Sequence, residues 1–468
     1  MRYHACSSTG SFIVVLTVFM TGCESYQAKP ITHQGIETAL TVPSNEVLQA
    51  RADELQHQNL PAVVIDDRDG LSPDEAAVLA VLLNPELRAI RDRRNKAGAQ
   101  LMQARLYPNP TVSADLDTPV GGSSGGSITA VGFGLSYDLA KLITRNDRIA
   151  AANRAEESID LDIAWQEWQV AQAAKIAVID LDSINKQIAI YQNTQQDMQP
   201  DLERMTLALN NGRATSEQLA SMRSLSDDLR GRELALEKEQ TIKRVELNRI
   251  IGLPASRNDP VVVDDHSKSN DESPEVDDRD TLVKGIEGRR LDLLALKKTY
   301  DRQEKLVHSA VLQQFPRITV GVRQQRDTDN LQTAGIGISI DLPIFDTGKA
   351  AIRSAEADRQ MVYDEFINRV FQARSDVNRL LDTISMLKKQ EAQARQVRER
   401  KVEFLRQMMQ SSQEGNVTIA SLMSARRDEA LSAIRVIDLQ REAHRAAIAL
   451  ETVSGVRENW AAPSAGLL

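Results

Sequence analysis

The feature that most constrains this chain is a repeat. The octapeptide GFGLSYDL at 132–139 returns as GIGISIDL at 335–342, 203 residues further on. The same offset carries Gly212, Thr215 and Leu219 onto Gly415, Thr418 and Leu422, and Leu247, Gly252 and Leu253 onto Leu450, Gly455 and Val456. Three separated anchors in one register argue for an internal duplication of about two hundred residues. The chain is therefore two similar halves, and any local reading of one half is checked by the other.

Both octapeptides alternate small or polar residues with large apolar ones, which is the period of a strand. Upstream of the first, Val112, Ala114 and Leu116 share one face and Ser113, Asp115 and Asp117 the other; in the octapeptide Val131, Phe133, Leu135 and Tyr137 oppose Ala130, Gly132, Gly134 and Ser136. The Gly/Ser-rich TPVGGSSGGS between them closes a hairpin. The second half repeats this with Ile318, Val320 and Val322, then Ile336, Ile338, Ile340 and Leu342. Strands are expected at about 110–118, 127–138, 316–325 and 333–342.

Neither Gly nor Pro occurs from Leu135 to Gln199 or from Lys349 to Glu414. Such runs exceed an ordinary globular helix. In the second, Phe366, Val370, Ala373, Val377, Leu380, Ile384 and Leu387 step alternately by four and three, the seam of a coiled coil. Rods of roughly 100 Å are expected at about 142–210 and 348–413, with Pro200 bending the first. Each ends at a Gly suited to chain reversal, Gly212 or Gly415, and returns over 214–251 or 417–454. Before the first strand, Ser72-Pro73-Asp74-Glu75 starts a helix running to about Leu106; a short helix lies near 46–58, and another over about 281–313 precedes the third strand. The acidic stretch 254–280 lacks the apolar content to pack.

With 4% aromatic residues and mixed charge spread along the rods, the chain offers no basic, aromatic-interleaved patch, and its net charge of −9 excludes nucleic acid as an expected partner. The histidines are scattered without a second His or Cys at ligand spacing, and no nucleophile elbow or phosphate loop is present. An enzyme, a metal site and a cofactor are not expected.

The two cysteines, Cys6 and Cys23, lie at the extreme N-terminus. The apolar run 12–20 is too short to span a bilayer and reads as the core of an export signal over 1–22. Its end, Thr21-Gly22-Cys23, resembles a bacterial lipobox, with Met20 where Leu is usual. That resemblance implies an acylated Cys23 heading a polar arm over 23–71, and several acyl chains give stable membrane attachment.

Four amphipathic strands beside rods that already own their seams have nothing left to cover their apolar faces. In a membrane the same alternation is what outward lipid and inward water demand, and an open four-stranded sheet would expose unpaired edges to hydrocarbon. The barrel must close between chains. Eight strands fill their own interior, whereas twelve leave a lumen. The expectation is mainly α with a membrane β-barrel: four strands per chain, a trimeric 12-stranded barrel continued by an α-helical barrel, with Asp115, Asp117, Gly132, Gly134, Gly335 and Gly337 on the lumen face and a mildly anionic interior.

NPELRAIR, AQLMQARLYPNP, DLPIFDTGKAAIRSA and the paired NGRATSEQL and EGNVTIASL resemble the TolC family of outer-membrane efflux proteins over about 72–455, in the branch serving resistance-nodulation-division pumps. The resemblance divides the chain into a first efflux repeat over 72–253, the linker, a second repeat over 281–456 and a tail over 457–468. It implies a passive homotrimeric duct in outer-membrane lipid that receives substrate from an inner-membrane pump and a periplasmic adaptor, or membrane fusion protein. It also implies adaptor docking at the tips, on Gly212, Thr215, Leu219, Gly415, Thr418 and Leu422, and a periplasmic gate near Glu414, Ser421 and Ser424. Acidic residues stand at the last two places in well-known members, so an aspartate ring is absent here. An exit duct of a type I secretion system and a periplasmic adaptor lipoprotein are the alternatives; an adaptor has one helical hairpin, not two.

Overall fold

The computed structural model describes residues 25–54, 60, 62–65, 70–121, 126–261 and 279–456. The signal segment, Cys23, most of the acidic linker and the tail lie outside the described residues. Contacts divide the chain into Met1–Pro43 and Ser44–Leu468. In the first unit, α1 (His33–Leu40) is an exposed helix that the sequence pattern did not announce; Thr32 caps it by accepting from the Gly35 N–H.

The second unit begins with α2 (Asn45–Glu54), followed by α3 (Pro73–Leu83) and α4 (Pro85–Arg105). Ser72 and Glu75 form the expected reciprocal capping box. The single helix expected to run to Leu106 is instead broken at Asn84. Pro85 has no N–H to donate back into the preceding turn, and the Asn84 side chain accepts from the N–H groups of Glu86 and Leu87, so a new helix starts there. The Asn84 Nδ2 also donates to the Ile250 carbonyl at 2.7 Å. The break therefore docks α3 and α4 against the end of the first return helix.

Then come β1 (Thr111–Asp117), β2 (Ala130–Asp138), the short α5 (Ala140–Ile143), the rod α6 (Arg145–Asn210) and its return α7 (Ser216–Ile251). The rod starts three residues later than expected and passes through Pro200 as one helix. The second half has α8 (Arg279–Val283), a 3-10 turn at Ile286–Gly288, and α9 (Leu291–Leu312), so the helix expected over 281–313 is in three pieces. It continues with β3 (Arg317–Arg326), β4 (Gln332–Asp341), the rod α10 (Lys349–Gln413) and its return α11 (Ile419–Ser454). The second rod and both returns keep the offset of 203 at their tips and ends. Both returns stop at a left-handed glycine, Gly252 at φ +92° and Gly455 at φ +68°. At Gly252 a Cβ would sit 2.7 Å from the Leu83 carbonyl oxygen, so the repeat anchor there is a close approach only Gly permits.

The stepped seam of α10 is buried as expected: Ala373, Val377, Leu380 and Leu381 pack with Ile286, Leu293 and Leu450, with Phe366, Val370 and Ile384 alongside, and Leu387 meets Leu439 and Ala446. Near the tips, Tyr191, Met198 and Met205 of α6 pack with Leu219, Met222 and Leu229 of α7 and with Met423 and Ile434 of α11. Each such side chain contributes about 1.5–3 kcal/mol on burial, and this is what ties the two hairpins into one body. Among the described residues no helix is long and apolar enough to cross a membrane.

Candidate functional site

The four strands form one antiparallel sheet in the order β1-β2-β3-β4, so the two hairpins join along β2 and β3. The registers sort the residues into two faces. Ser113 stands opposite Gly134 and Asp115 opposite Gly132; Gly134 then opposes Arg323 and Ser136 opposes Gly321; Arg323 opposes Gly335 and Gly321 opposes Gly337. Asp117, Asp138 and Asp341 fall on this face too, with Arg317 and Arg323 as the basic members. The expected lumen residues are thus brought onto one surface, a mixed one in which four carboxylates face two guanidiniums.

The other face is almost wholly apolar over the strand centres: Val112, Ala114 and Leu116, then Phe133, Leu135 and Tyr137, then Ile318, Val320 and Val322, then Ile336, Ile338 and Ile340. It is uncovered, and Ile336 is 85% exposed. At the hairpin end of β3 and β4 it turns polar through Gln324, Arg326 and Gln332. Among the described residues both outer strands, β1 and β4, present an unpaired backbone edge.

At the far end of the rods, Gly212 (φ +68°) and Gly415 (φ +76°) make the turns, each in open space. Thr215 caps α7 in a capping box with Gln218, and Thr418 caps α11 by accepting from the Ser421 N–H. Leu219 and Leu422 are buried inside the tip. Their side chains hold the turns together and face away from solvent, so the surface the tips offer consists of the other residues. Glu414 and Ser421 are exposed and Ser424 is half-buried; the Thr418 and Ser421 hydroxyls lie 2.8 Å apart.

One group at this end was not legible beforehand. Asp201 on α6 is fully buried and is held by Arg204 of its own helix and by Arg426 of α11, which also donates to the Asp197 carbonyl. This tie joins the two hairpins eleven residues from either turn. Further along the same seam the Gln187 amide donates to Asp438 at 2.9 Å, and Arg445 meets Asp180 at 3.3 Å. Two residues beyond Arg426 on α11, Asp428 is held below the usual carboxylate range: burial alone would raise it, and hydrogen bonds from Arg427 and Lys401 outweigh that. On the outer side of α7, Ser216, Ala220, Arg223, Ser224 and Asp227 line an open groove floored by Leu209 and Leu219.

Residues 282–456 match the family model described as outer membrane efflux protein. A stretch of 180 residues is 26% identical to the cobalt-zinc-cadmium resistance protein CzcC of Cupriavidus metallidurans, covering 37% of this chain and 42% of that protein, so the match spans less than half of the relative. In three dimensions the fold is similar to CusC, whose solved structures concern folding and transmembrane channel formation (TM-score 0.69, 16% identity, 82% of this chain and 92% of that one). It is similar also to the outer membrane protein VceC of Vibrio cholerae (TM-score 0.68, 16% identity, 82% and 96%) and to the open-state MtrE outer membrane channel of Neisseria gonorrhoeae (TM-score 0.66, 16% identity, 86% and 94%). These likenesses extend the fold over both halves, and the sequence of residues 282–456 is similar to the outer membrane efflux protein family.

Proposed function

We propose that three copies of this chain form a passive outer-membrane channel, the exit duct of a tripartite efflux system that carries small molecules or metal ions from an inner-membrane pump. The observation that carries the reading is the sheet: four strands, one bare apolar face, one polar face and two open edges. In lipid each unmet N–H and C=O costs several kcal/mol, so the edges require partners, and the next copy supplies them. Twelve strands leave a lumen lined by the polar face, and the rods continue it through the periplasm. The match to a metal-resistance relative favours metal ions as cargo. Conduction needs no chemistry from the wall, so no catalytic residue or cofactor is assigned.

Within this reading the exposed turns at Gly212, Thr215, Gly415 and Thr418 present the surface for a periplasmic adaptor, with Leu219 and Leu422 keeping that surface rigid from below. The gate lies beside Ser421 and Ser424, and opening swings the α10–α11 tip away from its neighbours. Cys23, outside the described residues, anchors the chain by its acyl groups. The test is direct: the mature chain fractionates with outer membrane, has three times the monomer mass by light scattering in detergent, and its deletion sensitises cells to divalent metals. A monomeric mass, or a chain that stays in aqueous solution without detergent, refutes the channel. A deletion strain sensitive only to organic drugs refutes the metal cargo, and absence of labelled fatty acid on Cys23 refutes the anchor.

A further inference from the structure

On the polar face of the sheet, Arg323 of β3 has no charged neighbour. The registers set Gly134 and Gly335 directly across from it on β2 and β4. The diagonal places hold Gly132 and Ser136 on β2 and Thr333 and Gly337 on β4, and the places two before and two after it on its own strand hold Gly321 and Gln325. Five of the eight positions around it are glycine and the other three are uncharged. The face's other guanidinium differs, since Arg317 stands opposite Asp341.

Arg323 is exposed, and among the described residues it has no ion pair or hydrogen-bond partner. Asp115, the nearest strand carboxylate on this face, lies two strands and two residues away, about 12 Å between backbones. Asp138 lies one strand and four residues away, about 14 Å. Both separations exceed the screening length of about 8 Å at physiological ionic strength. Asp327, in the turn beyond β3, is already committed, accepting from the backbone N–H groups of Asp329 and Leu331.

The backbone does not demand most of these glycines. None of the five has a left-handed φ. A Cβ at Gly335 or Gly337 would meet nothing within 4 Å in the chain, and one at Gly132 would make only ordinary contacts from 3.5 Å. Packing fixes Gly321, whose Cβ would fall 3.0 Å from the Leu135 carbonyl oxygen, and Gly134 would require Ser113 to turn away. Glycine in a strand interior weakens the strand and often marks a close approach to the backbone. Here the close approach is to a free guanidinium.

We propose that Arg323 sets the selectivity of the barrel: in the trimer three such side chains stand free in the lumen and draw in oxyanions, carboxylate- or phosphate-bearing. The inference rests on the channel reading above, with the polar face as lumen wall, and goes beyond it in naming the charge class that the bore favours. A guanidinium offers its N–H groups in a fork that fits two oxygens of a carboxylate or phosphate, and no protein carboxylate fills that fork. Asp115 and Asp117 lie towards the hairpins and Asp138 and Asp341 towards the rods, with the arginine band between them. A divalent cation crosses this band against its charge, which favours cargo that carries its own carboxylates or phosphates.

The experiment uses the full-length trimer in planar lipid bilayers. Under a potassium chloride gradient, Arg323→Gln moves the reversal potential towards cation selectivity. Inorganic tripolyphosphate or citrate, added on the hairpin side, blocks the parent at roughly ten-fold lower concentration than it blocks Arg323→Gln. Arg323→Lys keeps the parent's reversal potential and loses part of the block, because an ammonium has the charge without the fork. Arg326→Gln removes the same charge from the other face and leaves both readings at the parent's. A second variant keeps the arginine: Gly335→Asp gives it a cross-strand carboxylate, as Asp341 does for Arg317, and weakens the block as Arg323→Gln does. A conducting trimer in which Arg323→Gln or Gly335→Asp is blocked like the parent, or in which Arg326→Gln shifts as far, overturns the role of Arg323 and leaves the channel standing. A monomeric chain that forms no pore overturns the channel itself.

Discussion

Replacing Arg426 by Ala tests how the two hairpins are held together. The Asp201 carboxylate is fully buried and its two cations are unequal: the Arg426 side chain is 13% exposed and that of Arg204 58%. Removing one partner of a buried pair costs about 3–5 kcal/mol, because the other charge is left without compensation. Arg204 remains, but a solvent-screened partner recovers only about 0–1 kcal/mol. The expected loss is about 3 kcal/mol. Spread over a cooperative unit of about 400 residues, at about 2 cal/mol/K of unfolding entropy per residue, this lowers the melting temperature by about 3–4 °C. Helix melting by circular dichroism measures the shift, and hydrogen exchange locates it, with protection lost around 195–205 and 420–430 while Trp165 and Trp168 keep theirs. Removing both charges with Asp201→Leu and Arg426→Met should recover most of the loss, since an apolar pair is tolerated where half an ion pair is not. An Arg426→Ala chain that melts with the parent, or a double variant as unstable as the single one, would refute the reasoning.

Ile336→Lys puts a charge in the middle of β4 on the bare apolar face and should cost about 2–4 kcal/mol of insertion, read as less folded barrel in outer-membrane fractions; unchanged insertion means that face does not meet lipid. Cysteines at 421 and 424, cross-linked between copies, should abolish metal export, and continued export would move the gate elsewhere. Asp428→Asn should lower the melting temperature at neutral pH. The carboxyl is held below its ordinary range, so its contribution is present above the unfolded carboxylate pKa and is lost as pH falls through the lowered folded value; parent and variant curves should therefore converge in acid. A gap that persists at low pH would trace the effect to something other than that charge.

The strands could be read from the sequence because both their faces carry information: Gly and Asp on one, Ile, Val and Phe on the other, with the order repeated in the two octapeptides. The long rods were legible for the same reason, since of the stepped positions Ala373, Val377, Leu380 and Leu387 are buried and Phe366, Val370 and Ile384 half-buried where the seam predicts. The break at Asn84 was not. An apolar pattern runs across Asn84-Pro85, and the decisive partner, the Ile250 carbonyl, is 166 residues away in sequence. Leu219 and Leu422 were expected at a docking surface from the family resemblance, yet recurrence beside the turns marks what the turn needs as well as what a partner needs, and both are interior. Asp201 and Arg426 each look like ordinary surface charges on a helix, and only three-dimensional packing makes them a buried pair. The repeat offered one hint: Arg426 is the image of Arg223, whereas Asp201 has Phe404 as its image, so the two halves were already diverging at that level of the rod.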